Sequence, residues 1–391
     1  MTQKFDVVII GSSPLCLAEA IYQVGLGHSV CVLEKGQIGG SWKYIDALGF
    51  KRVELGPHVL NGDYLGKKAM EIFGVSLQKE KLHYFDVKNK RLYKKHMDSE
   101  KYFDKAIFWL RKIHQHPIST AKIAYNLCKY FYIRFFKKKD SIFYLKGGTY
   151  ELIQSFLLHP LWSKVSLQFH KCSDITFKSR TSQELSITLN SGGKIYAKKV
   201  FLTLGCNIDL QKIFKKLMGE SKGANIHQTT FQSLQVLLLL RNNKKSIPFT
   251  SFIYDDSSYI GNQNFLKSKK IKYCSDITKY VAYNNSTDFQ KDNLSVLALA
   301  VASSSYCYKN HELNKEKLLK DLKYYNFLDR EAKIESYYME NFSGQIIDYN
   351  CVEKNKIFLE NIGITVLQSD NLLNSFAKNY QRWKVLEKVV E

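Results

Sequence analysis

Proline is scarce, with five in 391 residues. No proline-rich or low-complexity linker divides the chain. No internal repeat is present, which excludes a solenoid or a propeller. None of the eight cysteines stands in a Cys-x-x-Cys pair or in a Cys/His group at ligand spacing. That excludes a zinc ribbon and a disulfide framework, and leaves reduced thiols acting as small apolar side chains in a cytoplasmic protein. Long hydrophobic runs are missing too. The longest, Leu234 to Leu240, is strand-sized and far from the roughly 20 residues of a membrane span. A strand pattern starts almost at the first residue, so no signal peptide is expected. Arginine is rare, with eight against 50 lysines, although the net charge is +22. Groove and phosphate readers rely on Arg forks. A lysine-dominated excess, with abundant Asn, Ile, Tyr and Phe, reads as a solvated basic surface, and no nucleic-acid partner is expected.

What is present is a chain of 45% hydrophobic and 14% aromatic residues, long enough for two domains and a sizeable core. Its first 42 residues carry the densest information. Asp6-Val7-Val8-Ile9-Ile10 is a short apolar run suited to a strand buried on both faces. Gly11 opens a tight turn. Pro14 to Leu26 reads as a helix with proline in its first turn, and Gly25 and Gly27 end it. A helix N-terminus aimed at that turn offers free N–H groups and a positive dipole end to a pyrophosphate. Ser29-Val30-Cys31-Val32-Leu33 is a second strand. Glu34, 23 residues after Gly11, ends it where an acid accepts from ribose hydroxyls. The usual G-x-G-x-x-G is altered to Gly11-x-Ser13-x-x-Cys16. Ser13 narrows the space for the pyrophosphate, and Cys16 sets the helix slightly further from the strand. A buried βαβ unit without a ligand is the plain alternative.

Further along, helices are predicted around Tyr64–Phe73, Lys105–His114, Ile118–Phe136 and Tyr150–Leu158. Strands are predicted near Val165–His170 and Leu185–Asn190, with a turn at Ser191-Gly192-Gly193-Lys194, and over Lys199–Gly205. From about 225 to 340 the pattern becomes strand-rich: Ser233–Arg241, Phe249–Tyr254, Lys279–Tyr283 and Ser295–Ala302, with a helix at Glu312–Tyr325. Gly363–Leu367 reads as a strand and Asn371–Val390 as a terminal helix.

Together these segments resemble the flavin-dependent amine oxidase superfamily, which includes protoporphyrinogen oxidase, monoamine oxidase and phytoene desaturase-like proteins, with the UDP-galactopyranose mutases more distant. Only the first sixty residues match specifically. The resemblance implies an α/β fold: a Rossmann-like FAD-binding domain with a central parallel sheet, plus an inserted α+β substrate domain with a mainly antiparallel sheet. The FAD domain would be assembled from 1–60, 141–225 and 341–391, and the substrate domain from 61–140 and 226–340. FAD is the implied cofactor. Gly11, Ser12 and Ser13 would lie against its pyrophosphate and Glu34 at the adenosine ribose, with Pro14 and Lys35 also among the cofactor-binding residues. Gly39, Gly40 and Ser41 resemble the second glycine pair, with Trp42 beside the ribityl chain or simply in the core. Gly56, Pro57 and His58 resemble the segment that approaches the flavin ring. Gly147-Gly148 resembles the pair before the second FAD-domain helix. Cys172 falls where a backbone pairs with adenine, and Leu204-Gly205 where a strand end passes the cofactor. At the C-terminus the family's Gly-Asp and glycine-rich helix start are reduced to Ser369-Asp370; Asp370 reads as a ribityl or phosphate ligand, or as a helix N-cap.

The implied activity is oxidation, dehydrogenation or desaturation of a small or medium organic substrate, with hydride passing to flavin N5. His58 is the candidate catalytic side chain near the ring, or else a loop anchor. Arg52 reads as a phosphate neighbour or as a surface residue. Two other readings stand beside this one. The altered phosphate loop suits a non-redox binding protein on the same scaffold. Gly56-Pro57-His58 suits a UDP-sugar mutase, which would need paired arginines. The aromatic and basic run within 121–139 reads as a substrate-domain helix or as a peripheral membrane contact, which would place a cytoplasmic protein at a membrane surface.

Overall fold

The opening strand, helix and strand bury themselves as their sequences require. In the computed structural model, which describes residues 3–55, 60–62, 64–80, 83–86, 91–93, 106–111, 119–131, 141–177, 184–203, 228–243, 251–254, 271–289, 293–301, 306–307, 312–347, 356–367 and 372–388, β1 is Gln3–Ile10. Val7 and Ile9 enter one core and Val8 and Ile10 another, following the two-residue period of a strand. α1 (Pro14–Gly25) starts on its proline. β2 (Val30–Leu33) is buried throughout. A hairpin of β3 (Tyr44–Ala47) and β4 (Phe50–Glu54) follows, then β5 (Leu60–Gly62) and α2 (Tyr64–Glu71). Short strands β6 (Gln78–Glu80), β7 (His83–Asp86) and β8 (Arg91–Tyr93) precede helices α3 (106–111) and α4 (Ser119–Phe131). β9 (Ser141–Tyr144) leads into α5 (Gly148–Leu157). Next come β10 (Ser166–Gln168), β11 (Cys172–Phe177), β12 (Leu185–Leu189) and β13 (Lys194–Thr203). The remainder comprises β14 (Gln228–Arg241), β15 (Ser251–Tyr254), β16 (Ile271–Asp276), α6 (Thr278–Asn285), β17 (Leu294–Val301), α7 (Lys315–Tyr324) and β18 (Lys333–Ile347). It closes with α8 (Lys356–Asn361), β19 (Ile364–Leu367) and α9 (Leu372–Trp383).

The first sheet runs β10-β2-β1-β13-β12-β11, with β19 beside the end of β13. β10, β2, β1, β13 and β19 are parallel, and β12 and β11 return antiparallel. One face is covered by α1, α5 and α9, whose Leu17, Ile21, Phe156 and Phe376 are fully buried. The other face is closed by β11 and β12 through Ile175 and Ile187. Arg382 of α9 reaches buried Glu19 of α1 at 2.9 Å and fastens the two helices.

The second sheet, β18-β14-β17-β16-β15-β7-β8, is antiparallel except for the β15–β7 pair. On one face Val236, Leu238 and Leu299 pack on Leu318 and Leu322 of α7. On the other, Leu237, Val296 and Ala298 pack with Tyr280 and Val281 of α6 and with Val53 and Leu55. The β4 segment that follows the glycine-rich loops thus belongs to the core of the second sheet. The chain has a mixed α/β fold in which a mainly parallel sheet adjoins antiparallel ones.

Three sequence expectations need correction. Lys279–Tyr283, read as a strand for its aromatic and β-branched content, lies in α6. Asp276 Oδ1 accepts from Thr278 N at 3.0 Å at the helix start, and Ser286 adopts φ +53° at its end. Tyr280 and Val281 then both face the core, where a strand would send adjacent residues to opposite faces. The strands β16 and β18 were not anticipated. The terminal helix runs only to Trp383 before tightening into a 3-10 turn over Lys384–Lys388.

Candidate functional site

The loop after β1 is held open by Gly11, whose φ of +97° disfavours any other residue. Its N–H donates to Leu33 O at 2.8 Å, which fixes the turn to the end of β2. Ser13 is the N-cap of α1, but its hydroxyl makes no capping bond. Ser13 Oγ is buried without a hydrogen-bond partner, although the Cys16 thiol is close enough to feel it. Pro14, which has no N–H, opens the first helical turn, where the backbone N–H groups of Leu15 and Cys16 lack intrahelical acceptors. Thr203, at the end of β13, stands beside Gly11: a methyl group on Gly11 would lie 3.9 Å from its Oγ1.

Glu34 ends β2 and is buried. Oε2 accepts from Ser12 N at 3.0 Å and from Ser12 Oγ at 2.6 Å. Oε1 accepts from Gly36 N at 2.9 Å. Ser12 also receives the next segment: Gly39 N donates to Ser12 O at 3.1 Å and lies 2.9 Å from Ser12 Oγ. Gly39 and Gly40 have φ of +106° and +60°, and a side chain on Gly40 would begin 3.8 Å from Ser13 N. Three loops, 11–13, 34–36 and 39–40, therefore meet through backbone and one carboxylate. Lys35 and Ser41 are exposed at the edge of this junction, and Trp42 is half-buried against the first core.

Beyond Trp42 the walls turn aromatic. A small cavity is lined by Trp42, Glu54, Leu60, Tyr144, Thr149 and Tyr280. Glu54 is buried, and its Oε2 accepts from Thr149 N at 3.3 Å at the start of α5. Thr149 Oγ1 is buried without a partner. Gly148 has φ +61° and leaves just enough room for the Glu54 carboxylate. Lys279 Nζ sits 3.9 Å from the Tyr144 ring centre. Nearby, Lys43 pairs with Glu340 of β18 at 2.5 Å, joining the glycine-rich segment to the second sheet.

This arrangement of sheets and loops recurs in solved structures. Reduced UDP-galactopyranose mutase superposes with a TM-score of 0.63 at 14% identity, covering 98% of this chain and 93% of that one. Putrescine oxidase bound to putrescine gives 0.58 at 12% identity, with both chains fully covered. The flavin-dependent brominase Bmp2 gives 0.51 at 10% identity, covering 99% of this chain and 80% of that one. The chain shares the fold of these enzymes. No family model and no curated protein matches the sequence.

The anticipated site residues divide into three groups on this flavoenzyme fold. Gly11, Ser12, Ser13, Pro14, Glu34, Gly39 and Gly40 converge at one junction, with Lys35, Ser41 and Trp42 on its margin. Cys172 is buried in the core that contains Leu33, on the far side of the sheet from α1. Gly56, Pro57, His58, Gly205 and Asp370 lie outside the described residues, as does Leu204. Gly147 and Gly148 begin α5 as anticipated. Arg52 is exposed, in line with the surface reading, and its guanidinium lies 4.2 Å over the Tyr150 ring. Glu54, Thr149, Thr203 and the Lys43–Glu340 pair were not singled out from the sequence. None carries a local motif, and only folding brings their partners near. Among the described residues no group of His, Cys, Asp or Glu could hold a metal ion.

Proposed function

We propose that the protein is an FAD-dependent oxidoreductase, an oxidase, dehydrogenase or desaturase acting on a small or medium organic substrate. The observation that carries this is the meeting of the Gly11 turn, Glu34 and the Gly39-Gly40 pair at the N-terminus of α1. The residues fit a dinucleotide. The first-turn N–H groups of α1 suit a pyrophosphate. Glu34 Oε1 carries one donor and retains a lone pair for a ribose hydroxyl. The positive φ of Gly39 and Gly40 brings bare backbone to the junction. Bound flavin supplies a hydride acceptor, so that a substrate C–N or C–C bond is oxidised while oxygen or another acceptor later takes the electrons. The chain's own contribution is binding, orientation and exclusion of water. Trp42, Tyr144 and Tyr280 provide the walls for that. In this reading Gly56, Pro57 and His58 serve the flavin ring, with His58 the candidate catalytic side chain.

The division into an FAD domain of 1–60, 141–225 and 341–391 and a substrate domain of 61–140 and 226–340 is part of the same proposal. So are Cys172 at adenine and Gly205 and Asp370 near the cofactor.

A second reading is a binding protein that keeps the scaffold without redox chemistry. It is favoured by Ser12, which already occupies Glu34 Oε2 twice. The likeness to the mutase favours redox-neutral sugar chemistry, but eight arginines in the whole chain supply little for a nucleotide-sugar diphosphate.

The absorption spectrum of the purified protein with and without FAD is the test. Bands near about 375 and 450 nm that leave on denaturation establish a bound flavin and permit a substrate screen by anaerobic bleaching. Saturating FAD at about 100 times Kd should add about 2.7 kcal/mol of stability. A colourless protein whose melting temperature ignores excess FAD refutes the oxidoreductase reading.

A further inference from the structure

Residues 105–139 contain nine Lys or Arg and not one Asp or Glu. Eight aromatic residues are interleaved with them: Phe108, Trp109, Tyr125, Tyr130, Phe131, Tyr132, Phe135 and Phe136. Two described helices of the segment, α3 and α4, show what the sequence is used for.

α4 turns Ile123 and Leu127 to its half-buried side and carries a second apolar stripe besides. Ala121, Ala124, Tyr125, Cys128 and Phe131 recur at i, i+3, i+4, i+7 and i+10, which makes one stripe. All five are exposed, Tyr125 at 60% and Phe131 at 50%. The stripe Lys122-Asn126-Lys129 carries the polar groups, yet Asn126 is buried and Lys129 half-buried. The apolar stripe thus faces outward. On α3, Phe108 and Leu110 are exposed at 49% and 51%. Lys122 Nζ lies 3.9 Å above the Trp109 ring and holds the two helices side by side. The exposed apolar residues of both helices, with Arg111 and Lys122 among them, form one surface.

We infer that the outward stripe of α4, with Phe108 and Leu110 of α3, is a docking surface for an anionic lipid bilayer. Outward aromatic and aliphatic side chains enter the interfacial region, and the interleaved cations meet lipid phosphates and carboxylates. The surface lies on the membrane and does not cross it: among the described residues no helix is long and apolar enough to span. A bilayer fits better than a nucleic acid, because a nucleic-acid surface would call on Arg forks and not on an aliphatic and aromatic stripe. An acidic protein would satisfy the charge but needs a shaped apolar partner for the stripe. The inference is independent of whether flavin binds.

The test is co-sedimentation of the full chain with phosphatidylserine–phosphatidylcholine vesicles and with pure phosphatidylcholine vesicles. Binding is expected to the anionic vesicles alone and should weaken as salt rises from about 0.1 to about 0.5 M. Phe108→Ser, Tyr125→Ser and Phe131→Ser together should reduce the partition coefficient at least roughly tenfold, with the variant still folded by circular dichroism. A polarity-sensitive fluorophore on exposed Cys128 should shift to the blue when vesicles are added. Three results would each overturn the inference. One is no binding to anionic vesicles. Another is binding that the triple variant retains with an unshifted probe, which would assign it to the general positive charge. The third is tight binding to RNA or an acidic protein without any to vesicles.

Discussion

Ser12 Oγ donates to Glu34 Oε2 across 2.6 Å, and both side chains are buried. The serine stands at the variable second position of the glycine loop, where a methyl group would fill the same space. Its hydroxyl ties the loop to the acid at the end of β2, and Gly39 N approaches the same oxygen. One side chain therefore sets the spacing of three loops.

Ser12→Ala is expected to lower stability by about 1.5 to 3 kcal/mol, the worth of a hydrogen bond to a charged group. Glu34 would lose one of its two Ser12 donors and some of its orientation. FAD affinity should fall roughly tenfold in consequence. Chemical denaturation and a flavin titration separate the two effects. Lost stability with unchanged affinity would make the network structural and favour the non-redox reading.

Ser13 and Cys16 replace glycines of the usual loop, but the structure gives them different duties. Ser13 Oγ is buried and unpartnered, so Ser13→Gly removes an unsatisfied hydroxyl and enlarges the phosphate space. FAD affinity should rise with stability nearly unchanged. Cys16 is fully buried in the core with Leu17 and Ile21. Cys16→Gly opens a void and places glycine inside a helix, which together should cost about 2 kcal/mol or more. Its melting temperature should fall even if affinity rises. If neither variant changes flavin binding, the phosphate site is abandoned.

Gly148 and Glu54 are 94 residues apart in the sequence and share one space. A methyl group on Gly148 would collide with Glu54 Oε2, and its φ of +61° adds strain. Gly148→Ala should cost about 1 to 3 kcal/mol. The double variant Gly148→Ala with Glu54→Ala should recover the steric part and leave the strain. A double-mutant cycle by urea denaturation reads the difference. Additive losses would mean that the carboxylate moves aside freely.

The legible parts of the molecule are those whose signals are local. β1, α1 and β2 announce themselves through a buried Val/Ile run, a first-turn proline and terminal glycines, and they lie within a few residues of expectation. The mixed α/β fold is legible for the same reason. β18 was not, because Lys333–Ile347 mixes Glu, Tyr, Met, Asn and Ser without clean alternation. It is long because β14 pairs along it from Gln228 to Arg241. α6 departs from expectation because Lys279–Tyr283 has strand-like composition, while the Asp276 carboxylate that accepts from Thr278 N lies outside that window. Glu54 carries no signal in the sequence, since its partner at Thr149 is brought in by α5.

The buried thiols make stability and reactivity depend on alkaline pH. Burial pushes Cys16, Cys31 and Cys172 up from an ordinary 9.0 to about 12, and Cys274 higher still. Each is an acid whose folded pKa exceeds its unfolded one. Above pH 9 the unfolded chain releases these protons first, so it binds fewer than the native chain and becomes favoured. Their contribution is complete below about pH 9 and is lost progressively toward pH 12. The free energy of unfolding in urea should therefore decline steeply across that interval. At pH 8 a thiol reagent should modify exposed Cys128 quickly and leave the four buried cysteines untouched until urea unfolds the chain. Mass spectrometry of the labelled peptides checks both points. Rapid native-state labelling of Cys16 would show that the helix behind the phosphate loop opens far more readily than its packing implies.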